Sequence, residues 1–283
     1  MPVAFAPAKR TKSFLKLALT GPSGSGKTYS ALLMAQGLCP GGRIAVLDTE
    51  NGSAALYDTV VPFDHALIDP PYTVDKFVEG LTAAVAAKYD VLIIDSISHE
   101  WSAEGGILRQ KEALDVRGGN QYANWAGPTK EHERFLGAIL HAPIHVIATM
   151  RSKEGYAIGD DNKPVKMGLQ PIQRDGVVYE FAIVLDVDMA HAAKSSKDRS
   201  GLFADGRIEK ITTATGSRIR EWLDCAVDAP TAPVMEAAPT ATSVTTKPVC
   251  SGCTVELTQG QLMVSNKKFG KPLCPACQKA EAN

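Results

Sequence analysis

An eight-residue stretch, GPSGSGKT at positions 21–28, carries the clearest chemistry in this sequence. It fits the pattern G-x-x-x-x-G-K-[ST] and lies between an apolar run and a helical pattern. In such a loop the backbone N–H groups surround phosphate oxygens, the lysine bridges the outer phosphates and the final hydroxyl binds Mg²⁺. A purely structural turn is the alternative, and a dinucleotide site is disfavoured because its third glycine is absent. We therefore predict a nucleoside triphosphate site with Lys27 also acting in catalysis, formed by Gly21, Pro22, Ser23, Gly24, Ser25, Gly26, Lys27, Thr28 and Tyr29.

Acidic residues end two later apolar runs. Asp95 closes DVLIID, where a carboxylate at a strand tip would hold Mg²⁺ opposite Thr28. Asp48 closes IAVLD in the same way, and a buried or capping role is an equal alternative for it. Glu50 follows two residues later and is predicted to polarise the water that attacks the γ-phosphate, with an ordinary loop carboxylate as the alternative.

Four cysteines near the end of the chain have the spacing of metal ligands. CSGC at 250–253 and CPAC at 274–277 give C-x₂-C-x₂₀-C-x₂-C. Four thiolates at this spacing form a closed tetrahedral zinc site, and the metal supplies folding energy that so small a module lacks. A redox role is the alternative, but neither pair heads a βαβ pattern. We predict a structural Zn²⁺ in a zinc ribbon, held by Cys250, Cys253, Cys274 and Cys277.

Alternating strand and helix patterns position the phosphate loop. Apolar runs rich in β-branched residues predict strands at 14–20, 43–49, 90–96, 144–150 and 180–189. Helical patterns between them cover 27–38, 73–88 and 129–140. This order is typical of an α/β fold, a mostly parallel sheet flanked by helices. A stretch rich in Pro, Ala and Thr then predicts a flexible linker, so the expected organisation is a domain at 1–227, a linker at 228–249 and the zinc module at 250–283.

The overall composition argues against a protein with a basic surface throughout and against a membrane protein. The 283 residues are 45% hydrophobic with a formal net charge of -1, so any surface for nucleic acid must be local. No run approaches the length of a membrane span, and we expect a cytoplasmic protein without a membrane partner. Cysteines in that compartment stay reduced, which favours metal binding over disulfides.

The chain resembles the RecA-like AAA family ATPases of bacteriophages, which act as single-strand annealing recombinases. The resemblance rests on GPSGSGKT, VLDTENGSA, LIIDS, HVIATMRSK, YEFAIVLDVD and KDRSG, and it spans residues 14 to about 223. It implies a RecA-like P-loop core, ATP and Mg²⁺ as cofactors, and Glu50 as the catalytic base. It also implies a γ-phosphate sensor at the end of the fourth strand, where Thr149, Met150 and Arg151 stand and RecA has glutamine.

The resemblance implies two loops that face DNA. The first, 113–127, combines Arg117 with Tyr122 and Trp125. Aromatic rings stack on any base, which suits single-strand binding without sequence preference. The alternative is that the two aromatic residues pack in the core. The second, 151–174, is rich in cations and long without periodicity, which favours a functional loop over a connector. Its predicted DNA contacts are Arg151, Lys153, Lys163 and Lys166.

A pair of cations in KDRSG has the K-x-R spacing of a finger that acts across a subunit interface. Lys197 and Arg199 would stabilise charge on the transferred phosphoryl group of a neighbouring copy, and a solvated basic face is the alternative. We therefore expect a DNA-stimulated ATPase that assembles as a filament or ring on single-stranded DNA and promotes annealing or strand exchange in phage recombination, in the cytoplasm of a bacterial host. A single-strand-binding protein is a further candidate partner. The alternatives are a DnaB-like helicase and a replication protein in which ATP switches DNA binding or recruitment.

Overall fold

The computed structural model describes residues 5, 7, 13–158, 163–204, 206–208, 210–225 and 248–281. The chain forms two compact units, Met1–Ala229 and Pro230–Asn283. The predicted linker lies almost wholly outside the described residues, so its bounds stay predictions. None of the helices in the described parts of the chain is long and apolar enough to cross a membrane.

The larger unit is built on a mostly parallel sheet. Its strands are β1 (Lys16–Gly21), β2 (Ile44–Asp48), β3 (Asp64–Leu67), β4 (Val91–Asp95), β5 (His145–Ile158), β6 (Pro164–Pro171), β7 (Ile183–Val187), β8 (Ala193–Asp198) and β9 (Arg207–Ile208). They lie in the order β3-β2-β4-β5-β1-β7-β8-β9, and β6 pairs with β5 off this path. The strands from β3 to β7 in this order are parallel, whereas β6, β8 and β9 are antiparallel to their neighbours. One strand, β5, thus separates β1 from β4, and this order decides which residues meet at the site.

Helices cover both faces of this sheet, as the near-continuous apolar strands require. They are α1 (Lys27–Leu38), α2 (Val74–Ala86), α3 (Ser98–Ser102), α4 (Ile107–Val116), α5 (Ala126–His141) and α6 (Thr213–Asp224). Alternate residues of β1 enter the two cores: Leu17 and Leu19 pack on the side of α1 and α6, and Ala18 packs on the side of α2 and α5. The predicted fold, a parallel sheet flanked by helices around a P-loop, is confirmed.

The segment 151–174 is not the irregular loop that its composition predicts. Strand β5 continues to Ile158 and forms an antiparallel hairpin with β6, with Ser152 opposite Pro171 and a bulge at Gly155 and Tyr156. The bulge and the prolines that bound β6 break the alternation of apolar and polar residues, which is why the pattern does not read as strands.

Residues 248–281, the described part of the smaller unit, form two helices, α7 (Gln259–Phe269) and α8 (Pro275–Glu281). Among the residues described there, strand pairing is limited to one isolated bridge between Val249 and Glu256. The predicted small C-terminal module is confirmed, and its assignment as a zinc ribbon stays a prediction, since helices predominate among its described residues.

Candidate functional site

The phosphate loop joins β1 to α1 with the geometry of an anion cradle. Gly24 and Gly26 have φ of 83° and 86°, a left-handed conformation that L side chains rarely adopt. A Cβ on Gly21 would lie 2.3 Å from the carbonyl oxygen of Val187, so only glycine fits there. Helix α1 begins without a side-chain cap, as expected of a helix whose N-terminus binds phosphate. Lys27 Nζ donates a hydrogen bond to the Pro22 carbonyl oxygen over 2.8 Å, which holds the ammonium above the loop.

A cavity of about 690 Å³ opens over this loop. Its walls combine residues of the phosphate loop and α1 with side chains from the loop after β2, the end of β4 and the middle of β5. Among the residues that line it are Lys27, Thr28, Tyr57, Glu50, Asp95 and Arg151. Its size suits a nucleotide, and the cations and carboxylates in it are those that phosphates and Mg²⁺ require.

Asp95 lies at the end of β4 and is almost completely buried. Its two carboxylate oxygens accept hydrogen bonds from the Thr28 and Thr149 hydroxyls, each over 2.5 Å. Burial is the largest influence on this carboxyl group and raises its pKa, whereas the two hydroxyls act in the opposite direction. A divalent cation would offset the cost of a buried charge, so Thr28 and Asp95 fit the predicted role of Mg²⁺ ligands.

Glu50 extends from the loop after β2 and is ion-paired with Arg151. The Arg151 Nε atom donates to one carboxylate oxygen over 2.7 Å and Nη2 donates to the other, while Ser96 Oγ lies 3.2 Å from the first. The predicted general base is thus at the cavity with Lys27 and Asp95, but both of its oxygens are occupied. Arg151 lines the nucleotide cavity, which fits its candidacy as the γ-phosphate sensor and differs from the DNA contact that the sequence also predicts for it.

Asp48 takes the structural role that the sequence left open. Its Oδ1 accepts the backbone N–H of Glu50 over 2.5 Å, and its Oδ2 accepts that of Ala54 over 3.0 Å. His65 Nε2 lies 3.1 Å from the same Oδ2. This completely buried carboxylate therefore fixes the backbone of the loop that carries Glu50.

Several residues that line the cavity were not predicted from the sequence, among them Tyr57 and His191. Tyr57 meets Tyr29 edge to face, with ring centroids 6.0 Å apart, and both rings line the cavity beyond the phosphate loop. His191 has a left-handed backbone, with φ of 62°, and its Nδ1 lies 3.0 Å from the Ser25 carbonyl oxygen. Tyr57 belongs to no sequence motif that would indicate a binding role. His191 precedes a cation-rich stretch, and the sequence does not indicate that its side chain contacts the phosphate loop.

The predicted DNA contacts divide into exposed and packed residues. Tyr122 is 89% exposed and Arg117 is also exposed, and both lie in the segment between α4 and α5. Trp125 is half-buried and stacks on Trp101, with centroids 6.1 Å apart and planes 16° from parallel. Trp125 is therefore the less available of the two rings. The other predicted cations, Lys153, Lys163 and Lys166, are exposed on the hairpin.

Lys197 and Arg199 lie far from the phosphate loop of their own chain. Asp198 of β8 pairs with Ile183 at the start of β7, whereas the phosphate loop follows the other end of the neighbouring β1. Lys197 Nζ donates to the Tyr179 carbonyl oxygen, and Arg199 is exposed. In these positions the two cations do not reach the cavity within one chain.

The four predicted metal ligands come together in the smaller unit. The sulfur atoms of Cys250, Cys253, Cys274 and Cys277 all lie within 4.8 Å of one another. Cys253 Sγ and Cys274 Sγ are 3.5 Å apart, close to the ~3.8 Å between thiolates around one tetrahedral Zn²⁺. A Cβ on Gly252 would lie 3.0 Å from Cys277 Sγ, so the backbone between Cys250 and Cys253 approaches the fourth cysteine closely. The donor set and spacing fit a zinc ion.

The comparison with known families agrees with this geometry. A family model described as an AAA domain matches residues 13–219, which include every residue placed above at the cavity. No curated protein matches the chain. The match covers most of the chain and accounts for the phosphate loop, the buried acid of β4 and the parallel sheet that brings them together. The chain therefore belongs to the AAA domain family, and its larger unit is a P-loop nucleoside triphosphatase domain.

Proposed function

We propose that this chain is a Mg²⁺-dependent, RecA-like ATPase that binds single-stranded DNA and promotes strand annealing or exchange in phage recombination, in the cytoplasm of a bacterial host. The observation that carries the proposal is the course of β5. This strand contributes Thr149 and Arg151 to the nucleotide cavity and then continues directly into an exposed, cation-bearing hairpin. A ligand of the hairpin and a ligand of the cavity would thus contact the same strand.

The cavity supports an in-line displacement at the γ-phosphate. The water oxygen bonds to the γ-phosphorus, the bond to the bridging oxygen of ADP breaks, and Glu50 accepts the proton of the water. Lys27 offsets charge on the outer phosphates, and Thr28 and Asp95 would hold Mg²⁺, which neutralises the β- and γ-phosphates when bound. Of the three candidates for the γ-phosphate sensor, Arg151 is the one that lines the cavity, because Thr149 is bonded to Asp95 and Met150 is buried.

The hairpin supports single-strand binding through a ring beside a cation. Tyr156 is 61% exposed and lies directly opposite Lys166 across the two strands. The ring can stack on any base while the ammonium meets a phosphate, which suits binding without sequence preference. Glu154 Oε2 lies 3.9 Å from Lys166 Nζ, a distance at which this exposed pair restrains the lysine only weakly.

ATP turnover measured with and without single-stranded DNA tests the proposal directly. Wild type should hydrolyse ATP faster with DNA, Lys27→Ala should lose nucleotide binding, and Glu50→Gln should keep binding and lose turnover. A wild-type rate of ATP hydrolysis in Glu50→Gln would refute the assignment of Glu50 as the base. A hydrolysis rate that is the same with and without single-stranded DNA would refute the proposed link between the hairpin and the nucleotide cavity.

The DNA contact has its own test in the salt dependence of binding. Lys166→Gln should weaken binding to mixed-sequence oligonucleotides uniformly and reduce the slope against the logarithm of salt concentration by about one. Lys130→Gln removes the same charge from an exposed position of α5 and should leave the slope unchanged. Equal slopes for both variants would move the DNA contact away from the hairpin.

Self-association as a filament or ring belongs to the same proposal. Arg199 is exposed and distant from its own cavity, so it can act on nucleotide only in a neighbouring copy. Mixing Lys27→Ala with Arg199→Ala should then restore part of the ATPase activity, because some interfaces combine an intact loop with an intact finger. No recovery in assemblies shown to be mixed, or full activity of Arg199→Ala alone, would exclude this role.

A second candidate function is a DNA-binding protein that ATP switches without rapid turnover, and that recruits a single-strand-binding protein or another partner. The ion pair on Glu50 favours it, because a base with both oxygens occupied does not activate water. DNA affinity that depends on a non-hydrolysable ATP analogue, together with turnover that DNA does not stimulate, would favour this candidate over the ATPase.

A further inference from the structure

The ion pair between Arg151 and Glu50 joins two groups that the proposed reaction needs apart. Glu50 must present a free oxygen to water, and a γ-phosphate would attract the nearest guanidinium. Instead the guanidinium binds the carboxylate through two parallel N–H donors. The side chains are 38% and 19% exposed, so the pair is shielded from water on the Glu50 side more than on the Arg151 side.

We infer that Arg151 is a latch on the catalytic base, held by Glu50 without a triphosphate and transferred to the γ-phosphate when one binds. This rests on the proposed role of Glu50. Arg151 is then a positioning residue: it keeps the carboxylate from water until a terminal phosphate is present, and its departure frees the base.

The surroundings of the pair favour such an exchange. Lys27 and Arg151 line the same cavity, so a triphosphate bound there would meet both cations. A terminal phosphate carries more negative charge than a carboxylate and accepts the same two parallel hydrogen bonds. After the exchange, the Ser96 hydroxyl can still hold one Glu50 oxygen, and Asp48 still fixes the Glu50 backbone. The base is thus freed without losing its position.

A backbone contact limits how far the latch can move. Arg151 pairs with Gly21 at the end of β1, and its backbone N–H donates to Ser98 Oγ over 2.9 Å. The strand therefore stays in register while the flexible side chain turns. The exchange requires a change of side-chain rotamers only, which suits a switch that responds to each nucleotide.

A double-mutant cycle on nucleotide binding tests this without turnover. Affinities for Mg²⁺ with a non-hydrolysable ATP analogue would be measured for wild type, Glu50→Gln, Arg151→Gln and the double variant by calorimetry. Glu50→Gln removes a negative charge near the phosphates in either background, so it should tighten binding in both. If binding breaks the ion pair, the gain should be about fivefold larger when Arg151 is present, because only then does the substitution also remove the pair. ADP lacks the γ-phosphate and should give the same gain in both backgrounds.

Equal gains for the ATP analogue in the two backgrounds would overturn the latch, since the pair would then survive binding. The same cycle on Arg109 and Glu112, an exposed ion pair of α4, supplies the matched control and should show no coupling. Thermal unfolding of each variant would establish that it is folded. The cycle measures binding of a non-hydrolysable analogue and does not depend on hydrolysis. If the chain never hydrolysed ATP, the proposed function would be refuted, but the cycle would still show whether binding breaks the ion pair.

Discussion

Replacing Gly37 with alanine should destabilise the larger unit, because α1 and α6 touch there backbone to backbone. A Cβ on Gly37 would lie 1.8 Å from the Thr213 carbonyl oxygen. The contact is reciprocal, since a Cβ on Gly216 would lie 2.1 Å from the Met34 carbonyl oxygen. Neither neighbour is a side chain that can rotate away. The helices would have to separate by more than an ångström.

The cost follows from two opposing effects. Separation of the helices opens the core where Ile219 and Leu223 of α6 pack, and overpacking of this kind costs about 3 kcal/mol at the upper end of its usual range. Alanine favours a helix over glycine by about 1 kcal/mol. The net loss should be about 2 kcal/mol, which lowers the unfolding midpoint of a domain of this size by roughly 4–8 °C.

The assay is thermal unfolding followed by circular dichroism, with Gly137→Ala as the matched control. Gly137 is also helical, in α5, but among the described residues a Cβ there would meet no atom within 4 Å besides those of its chain neighbours and its own helix backbone. Alanine at this position should raise the midpoint through helix propensity alone. The reasoning would be refuted if Gly37→Ala unfolded at or above the wild-type temperature, since backbone contact would then not limit this interface.

Three further predictions concern pH, a buried hydroxyl and the metal. Burial, with a smaller effect of Lys16, lowers the pKa of His145 from 6.5 to about 4, so the unfolded chain binds a proton in that interval and the folded chain does not. The free energy of unfolding should therefore fall by at most about 3 kcal/mol between pH 6.5 and 4, and His145→Asn should flatten this slope in urea titrations. Thr149→Val leaves the buried Asp95 with one donor fewer and should cost about 1–3 kcal/mol in urea titrations, whereas Thr149→Ser should be nearer to wild type. Metal analysis should find one Zn²⁺ per chain, and chelation should abolish hydrogen-exchange protection in 248–281 while leaving nucleotide affinity unchanged; protection without metal would exclude a structural zinc.

The phosphate loop and its strands could be predicted because their signals are local. GPSGSGKT needs no distant contact to be recognised, and the buried strands are continuous apolar runs. The sequence assigns Arg151 both to the DNA loop and, with Thr149 and Met150, to the candidates for the γ-phosphate sensor. It could not decide between these roles, because the position of Arg151 depends on β5 lying between β1 and β4 in the sheet and the sequence gives no strand order.

The cysteine spacing predicted the cluster, but the fold around it carried a signal that was missed. Thr258 and Gln261 form a capping box, with the Gln261 side chain accepting the Thr258 N–H over 3.0 Å. A Thr-x-x-Gln pattern before LMVSNKKF indicates a helix start, and Gly270 with φ of 68° ends it. The spacing of metal ligands fixes which atoms meet and leaves open whether helices or strands join them.

The proposed DNA surface and the nucleotide cavity are linked through β5, and this link has a thermodynamic consequence. Beyond Ala148 the strand loses its pairing with β4, and beyond Arg151 it loses its pairing with β1, so the hairpin begins where the sheet no longer restrains it. In our proposal DNA contacts the hairpin and a γ-phosphate contacts Arg151 of the same strand, so each ligand can order β5 for the other and the two are coupled. If an ATP analogue raises DNA affinity by some factor, DNA must raise affinity for the analogue by the same factor. Because Arg151 is the group on this strand that contacts the triphosphate in our proposal, Arg151→Gln should bring both factors towards one together. A variant in which one factor fell and the other remained would violate linkage and indicate that DNA and nucleotide had been measured on different assemblies.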